Sequence, residues 1–371
     1  MTNLEKEDIV SVAQLPYDWD RLRNKTVLLS GGTGFIGSFL LDVFRYRNEK
    51  YEDGIRAVSL SRRGGNSDGT VLYQKADVTT PVVYQGKVDY VLHFASNTHP
   101  HQYSADPVGT ILTNVLGCEQ LLHLAAEKNA RFLLTSSVEI YGEGTEAAMD
   151  EQYCGYLDCN QARMGYNESK RVCEALCQSY RKQYGVDFVT VRLSRVFGAD
   201  RKKDTKAMAQ FMAKALAGED IILKSNGTQR YSYCYVADCV SGIIRVLLDG
   251  VCGQAYNLSE DDEGMTLAGY AERIADLAGR KVVYRMEEDE AASKAAYALL
   301  NTEKLKGIGW KPLYSCLLYT SPSPRDLLNT EKLKGIGWKP LYSVSEGLER
   351  TYKIYTDRMA HGTFGQERFF C

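Results

Sequence analysis

The feature that most constrains this chain is the run Gly31-Gly32-Thr33-Gly34-Phe35-Ile36-Gly37, because of what stands on either side of it. Thr26 to Ser30 (TVLLS) is a short, continuous apolar run, the pattern of a strand buried on both faces, and Ser38 to about Tyr46 has the apolar periodicity of a helix. A glycine turn between strand and helix lets the backbone pass close to a pyrophosphate, and the unpaired N–H groups of the helix start favour its negative charge. Gly31, Gly34, Phe35, Ile36 and Gly37 are therefore candidate dinucleotide-binding residues.

The same alternation continues along the chain. Arg56 to Leu60 and Val88 to Phe94 read as further strands, Ile111 to Lys128 as a helix and Arg131 to Ser136 as a strand. Tyr166 to Tyr184 then reads as a helix stopped by Gly185, with Val186 to Leu193 as the next strand. Repeated βα units predict an α/β, Rossmann-type, doubly wound parallel sheet. After Arg195 the elements become shorter and mixed: a helix over Lys206 to Ala217, a strand pair at Ile221 to Leu223 and Arg230 to Val236, and a helix from Ala237 to Leu248. The expected organisation is a nucleotide-binding domain over 1–195 and a smaller mixed α/β lobe, mainly for substrate, over 196–371, with ligand at the junction.

One segment interrupts this order. Leu299 to Ser315 (LLNTEKLKGIGWKPLYS) recurs without a substitution as Leu327 to Ser343, across the spacer Cys316 to Asp326 (CLLYTSPSPRD). Diverged structural repeats do not stay identical, and no such period occurs elsewhere in the chain. The spacer resembles one reading frame of a transposase adapter used in sequencing libraries, so residues 316–343 are read as an artefactual insertion of 28 residues. Only one copy can fill the place the fold reserves for it. The other is expected to loop out, behind a spacer whose Pro322 and Pro324 exclude a helix or central strand.

Composition narrows the function. Forty-five Lys and Arg against 47 Asp and Glu give a net charge of -2, with no basic field to hold nucleic acid or an anionic membrane. No stretch has the length of a membrane span, and MTNLEKEDIV lacks the basic flank and apolar core of a secretory signal, so the expected location is the cytoplasm. The ten cysteines show neither a CxxC pair nor zinc spacing, so a metal site is not expected.

The second constellation is Ser137, Tyr166 and Lys170. A Tyr and a Lys four residues apart share one helix face, where an ammonium can lower the phenol's pKa and let tyrosinate act as a base. Tyr46 and Lys50 have the same spacing, but no strand ending in serine precedes them, and a surface role is preferred. At the end of the second strand, Ser59-Leu60-Ser61-Arg62-Arg63 carries no acid for the adenosine ribose. Arg62 and Arg63 either meet a 2′-phosphate, which favours NADP over NAD, or are solvated loop residues.

With these motifs in order, the chain resembles the extended short-chain dehydrogenase/reductases of the NAD-dependent epimerase/dehydratase family, which act on nucleotide sugars. The resemblance runs from GGTGFIG through FAS (Phe94 to Ser96), TNVLG (Thr113 to Gly117), SSVEIYG (Ser136 to Gly142), GYNESKRVCEAL (Gly165 to Leu176), VRLSRVFG (Val191 to Gly198) and YVADCVSGI (Tyr235 to Ile243). It implies that Asp77, Val78 and Ala95 join the cofactor site. It also implies that Tyr166 takes the proton of a carbon-4 hydroxyl, that Lys170 orients the nicotinamide ribose, and that Ser137 holds the sugar oxygen. Within the family the chain is most similar to UDP-glucuronate decarboxylases, and Glu139 falls where those carry a glutamate beside the sugar. In the 4,6-dehydratases an Asp precedes that Glu, whereas this chain has Val138, so the proton donor for dehydration is missing.

Two positions depart from the family's pattern. Arg195 stands where an Asn commonly contacts the pyrophosphate, and Tyr231 where an Arg is common, with Arg230 one place earlier. Arg195 is expected to pair with a diphosphate or a sugar carboxylate, and Arg195, Arg230 and Tyr231 form the candidate substrate set. The implied function is NAD(P)-dependent modification of a nucleotide sugar through a 4-keto intermediate, most like a UDP-glucuronate decarboxylase. The alternatives are a nucleotide-sugar 4-epimerase or 4-ketoreductase and, in another class, a non-catalytic NAD(P)-binding sensor. The implied assembly is a homodimer through the helix bearing Tyr166 and the one at Ile111 to Lys128.

Overall fold

A computed structural model of the chain describes residues 1–98, 100–200, 206–260, 265–286, 295–312 and 344–361. Seven strands form the main sheet: β1 (Thr26–Ser30), β2 (Arg56–Ser61), β3 (Val71–Lys75), β4 (Tyr90–His93), β5 (Arg131–Ser137), β6 (Phe188–Leu193) and β7 (Ala255–Leu258). Every pairing is parallel, and the spatial order is β7-β6-β5-β4-β1-β2-β3. The order reverses between β1 and β4, so the crevice at their C-terminal ends is where a doubly wound sheet takes its ligand.

The continuous apolar runs follow from burial on both faces. Val27 and Leu29 point into one core and Leu28 into the other; Leu92 and Val91 divide the same way, as do Leu133 and its neighbours Phe132 and Leu134. Helices α1 (Asn3–Ala13), α2 (Phe35–Tyr51) and a later helix (Val236–Asp249) cover the first face. Helices α3 (Pro107–Lys128) and α4 (Gly165–Tyr184) cover the second, packed side by side. Helix α4 ends as expected, at Gly185 with φ 71°. Helix α3 starts earlier than its periodicity predicts. Asp106 caps it by accepting the Gly109 N–H, and Pro107 sits in the first turn, where its missing N–H costs nothing.

Beyond Arg195 the expected helix is present as Ala207–Leu216, but the expected strand pair is not a pair. Ile221–Leu223 pairs with Val282–Tyr284, Arg230–Tyr231 with Tyr297–Ala298, and Tyr233–Tyr235 with Arg195–Phe197, each in parallel. The chain breaks at Ser232, whose N–H bonds to the Ala298 carbonyl, so the two halves of the predicted strand take different partners. Residues after 195 also return to the main sheet through helix Val236–Asp249 and strand β7. The last helix, α5 (Val344–Ala360), packs back on α1: Arg358 pairs with Glu5, and Arg350 with Asp8 at 2.9 Å, while Tyr235 donates to Asp8 at 2.7 Å. Among the described residues no helix is long and apolar enough to cross a membrane.

The first copy of the duplicated segment is built into the core. Leu305 and Trp310 are fully buried, Trp310 donates to Ser241 at 3.1 Å, and the Leu300 N–H bonds to Ser232. The spacer, Pro322 and Pro324 included, and the copy from Leu327 to Ser343 lie outside the described residues. Urea unfolding of paired variants tests which copy the fold uses. Trp310→Ala should cost about 3–5 kcal/mol, whereas Trp338→Ala, the same residue of the second copy, should stay within about 0.5 kcal/mol of the parent.

Candidate functional site

A cleft of about 920 Å³ opens at the C-terminal edge of the main sheet, lined by the glycine turn and by Glu139, Arg195 and Tyr231 among others. Gly31 follows β1 with φ 76°, and a Cβ there would lie 2.8 Å from the Ala95 nitrogen, so only glycine lets this turn cross the loop after β4. Gly37 has the same role inside α2, since its Cβ would sit 2.4 Å from the Gly31 carbonyl oxygen. The crossing is pinned by Ser30, whose hydroxyl accepts the N–H groups of Phe94 and Ala95 at 3.2 and 3.1 Å.

Helix α2 begins at Gly34 without a side-chain cap. Its first N–H groups are left for an anion, so this end fits the pyrophosphate of a dinucleotide. Phe35, Ile36, Arg62, Asp77, Val78 and Ala95 line the same cleft. Asp77 accepts the N–H and the hydroxyl of Thr79 at 2.9 and 2.8 Å, and these bonds hold its carboxyl below the usual range. It is a turn residue and a cleft residue at once.

Ser137 closes β5 and caps the short turn Val138–Tyr141 by accepting the Glu139 N–H at 3.2 Å. Tyr166 and Lys170 lie one turn apart on α4, both buried, and line the cleft with Ser137. Tyr46 and Lys50 do not line it. Lys170 donates to the Thr135 carbonyl at 3.0 Å, and burial lowers its pKa. Burial also pushes the Tyr166 phenol up to about 12, with the Ser137 hydrogen bond opposing and the Glu139 charge reinforcing the rise. The expected lowering of this phenol by Lys170 is thus absent, because desolvation outweighs it and the ammonium is engaged with a carbonyl. Behind them His93 is fully buried against Ser30 at 2.9 Å, and burial with the nearby Lys170 charge drives its pKa down to about 3, which keeps it neutral.

Glu139 is held by Arg195, which the sequence singled out, and by Arg163 and Asn167, which it did not. Arg163 donates to one carboxylate oxygen at 3.1 Å, Asn167 to the Glu139 carbonyl at 2.8 Å, and Arg195 to the other carboxylate oxygen at 3.4 Å. Burial opposes ionisation, but Arg195 and Arg163 overcome it and hold the carboxyl below its ordinary range. The signal for Arg163 and Asn167 was their place beside Tyr166, which puts them over the turn that carries Glu139. Both arginines rest on rings: Arg163 on Tyr103 at 4.7 Å and Arg195 on Tyr231 at 3.7 Å. Tyr103 also stacks on Tyr166, with ring centroids 5.2 Å apart. Arg230 does not line the cleft, whereas Tyr231 does, because neighbouring residues of a strand face opposite ways.

Residues 27–259 match the model of the NAD dependent epimerase/dehydratase family. UDP-glucuronic acid decarboxylase 5 of Arabidopsis thaliana is 32% identical over 295 residues, which span 78% of this chain and 85% of that protein. Among solved structures, an epimerase from Methanothermobacter thermautotrophicus superposes with a TM-score of 0.74 at 21% identity, covering 93% of this chain and 96% of that one. A UDP-glucuronic acid 4-epimerase from Bacillus cereus, in complex with UDP-glucuronic acid and NAD, gives a TM-score of 0.68 at 17% identity, covering 90% and 99%. At those identities the two structures share the fold; the sequence matches go further, and the chain belongs to the NAD dependent epimerase/dehydratase family.

Proposed function

We propose that the protein is an NAD-dependent enzyme that oxidises carbon 4 of a nucleotide-linked uronic acid and releases its carboxylate, as a UDP-glucuronate decarboxylase does. One observation carries this reading: Ser137, Glu139, Tyr166 and Lys170 line the same cleft as an uncapped helix start behind a glycine turn. In this reading the lobe after residue 195, less the helix and strand that return to the main sheet, closes over the sugar nucleotide. The cofactor assigned is NAD; Arg62, exposed at the cleft beside Asp77, offers a cation to a 2′-phosphate and makes NADP the alternative.

When bound, the dinucleotide supplies an acceptor for the hydride of carbon 4. Tyr166 takes the proton of the carbon-4 hydroxyl, and Ser137 holds the same oxygen in place. Lys170, one helix turn from Tyr166 and fixed on the Thr135 carbonyl, supplies a positive charge that favours tyrosinate against the burial that raises its pKa. With carbon 4 a ketone, Ser137 and Tyr166 hold its oxygen while carbon dioxide leaves and the electron pair of the broken bond at carbon 5 moves toward it. Carbon 5 then takes a proton, and Tyr166 gives its proton back to the carbon-4 oxygen as the hydride returns to carbon 4. A second reading, a 4-epimerase, is favoured by the guanidiniums of Arg163 and Arg195 at the sugar end. Cations there stabilise a carboxylate charge that decarboxylation must discharge.

The assembly proposed is a homodimer. Val108, Leu112 and Leu116 are exposed at four-residue spacing on α3, and Val172 is exposed on the adjoining α4, a stripe that a second copy would cover. The eight described cysteines are unpaired, in keeping with a reducing compartment such as the cytoplasm.

Incubation with NAD and UDP-glucuronate, read by mass spectrometry, should give a product lighter by one carbon dioxide. An isomer of unchanged mass selects the epimerase, and no product rejects both readings. Tyr166→Phe should lower kcat by about 10²- to 10⁴-fold with the cofactor still bound, measured by turnover and by cofactor fluorescence. Light scattering should show a dimer that Leu112→Glu converts to monomer; a monomeric parent protein removes the dimer.

A further inference from the structure

The two departures from the family's pattern, Arg195 and Tyr231, are in contact. The Arg195 guanidinium lies 3.7 Å over the centre of the Tyr231 ring, and that ring is itself fixed, being buried with its hydroxyl donating to the Ala295 carbonyl at 2.8 Å. We propose that Arg195, laid on Tyr231, is the anchor for a carboxylate carried by the sugar, and that Tyr231 positions it. The proposal rests on reading the cleft as a nucleotide-sugar site, and it names the residues that select the acid form of the sugar.

Arg195 is only partly used by the protein. Its polar side-chain contact is one bond to Glu139 at 3.4 Å, longer than an ordinary charge-assisted bond, and its Nη1 is buried without a partner. Arg195 is not the sole partner of Glu139, since Arg163 at 3.1 Å and Asn167 at 3.4 Å serve its other carboxylate oxygen. Two guanidiniums against one carboxylate leave a positive charge in surplus. A buried N–H without an acceptor is costly, and a ligand oxygen placed there removes the cost.

Position selects the ligand. Glu139 is two residues beyond Ser137, and its charge acts on the Tyr166 phenol, so Arg195, bonded to Glu139, stands beside the groups assigned to the reaction. A planar fork held on an aromatic face matches a planar carboxylate. A neutral hydroxymethyl group at the same sugar carbon leaves the surplus charge unmet.

The test is calorimetric titration of the full-length protein with NAD present, using UDP-glucuronate, UDP-glucose and UDP. UDP-glucuronate should bind more tightly than UDP-glucose, by roughly ten- to a hundredfold. Arg195→Gln should bring that ratio close to one while UDP affinity stays, which also reports an intact fold. Tyr231→Leu should reduce the ratio by roughly fivefold, and Tyr231→Phe, which keeps the ring, should retain it. An unchanged ratio in Arg195→Gln overturns the proposal, and so does an equal loss of UDP affinity, which makes Arg195 a diphosphate ligand. If the parent protein binds UDP and both sugars alike, the anchor fails and the nucleotide-sugar reading stands; if it binds none of them, both fail.

Discussion

The crossing of the chain at Gly31 over Phe94 and Ala95 is the constraint on which the rest of the site depends. The turn after β1 has to pass within van der Waals contact of the loop after β4, at the point where the strand order reverses. A left-handed residue without a side chain makes that approach possible, and the Ser30 hydroxyl fixes the distance by taking two N–H groups from the neighbouring loop. The crossing aims the start of α2 into the crevice. It also sets the ends of β4 and β5 side by side, which places Ala95 and Ser137 along one wall of the same cleft.

Charge divides that cleft into two ends. The glycine end relies on backbone N–H groups and carries Arg62 and Asp77 near its mouth. The part around Ser137 and Glu139 is crowded with buried ionisable groups that burial alone would neutralise. Glu139 stays ionised because two arginines face it, whereas burial keeps His93 neutral and keeps the proton on Tyr166 against the opposing Ser137 hydrogen bond. Among groups so deeply buried, adding or removing one full charge has large leverage on every neighbour.

Much of this was legible in the sequence because it is written in local signals. The apolar runs of β1, β4 and β5, the glycine turn and the stop at Gly185 each depend on a few adjacent residues, and the structure places them as read. The shared face of Tyr166 and Lys170 follows from helical spacing alone. What escaped is non-local. Ile221–Leu223 finds its strand partner about sixty residues later, and nothing in Arg230 to Tyr235 marks the break at Ser232. The phenol's pKa was misjudged for a similar reason, since spacing gives the neighbour of Tyr166 but not the water removed from around it. The contact between Arg195 and Tyr231 joins two segments that only the fold brings together.

The pairing of α1 with α5 has a consequence for how the protein is made. The carboxylates of Asp8 and Glu5 meet guanidiniums that lie 342 and 353 residues further along the chain. During synthesis from the N-terminus, the main sheet can assemble before those arginines exist, but the first helix cannot bury its acids against them until nearly the whole chain has left the ribosome. Contacts of such long range close the largest loop in the molecule and form late. The first helix can dock on α2 early, but its acidic contacts are among the last to form, and a chain truncated before Arg350 leaves Asp8 beneath the surface without that counter-charge.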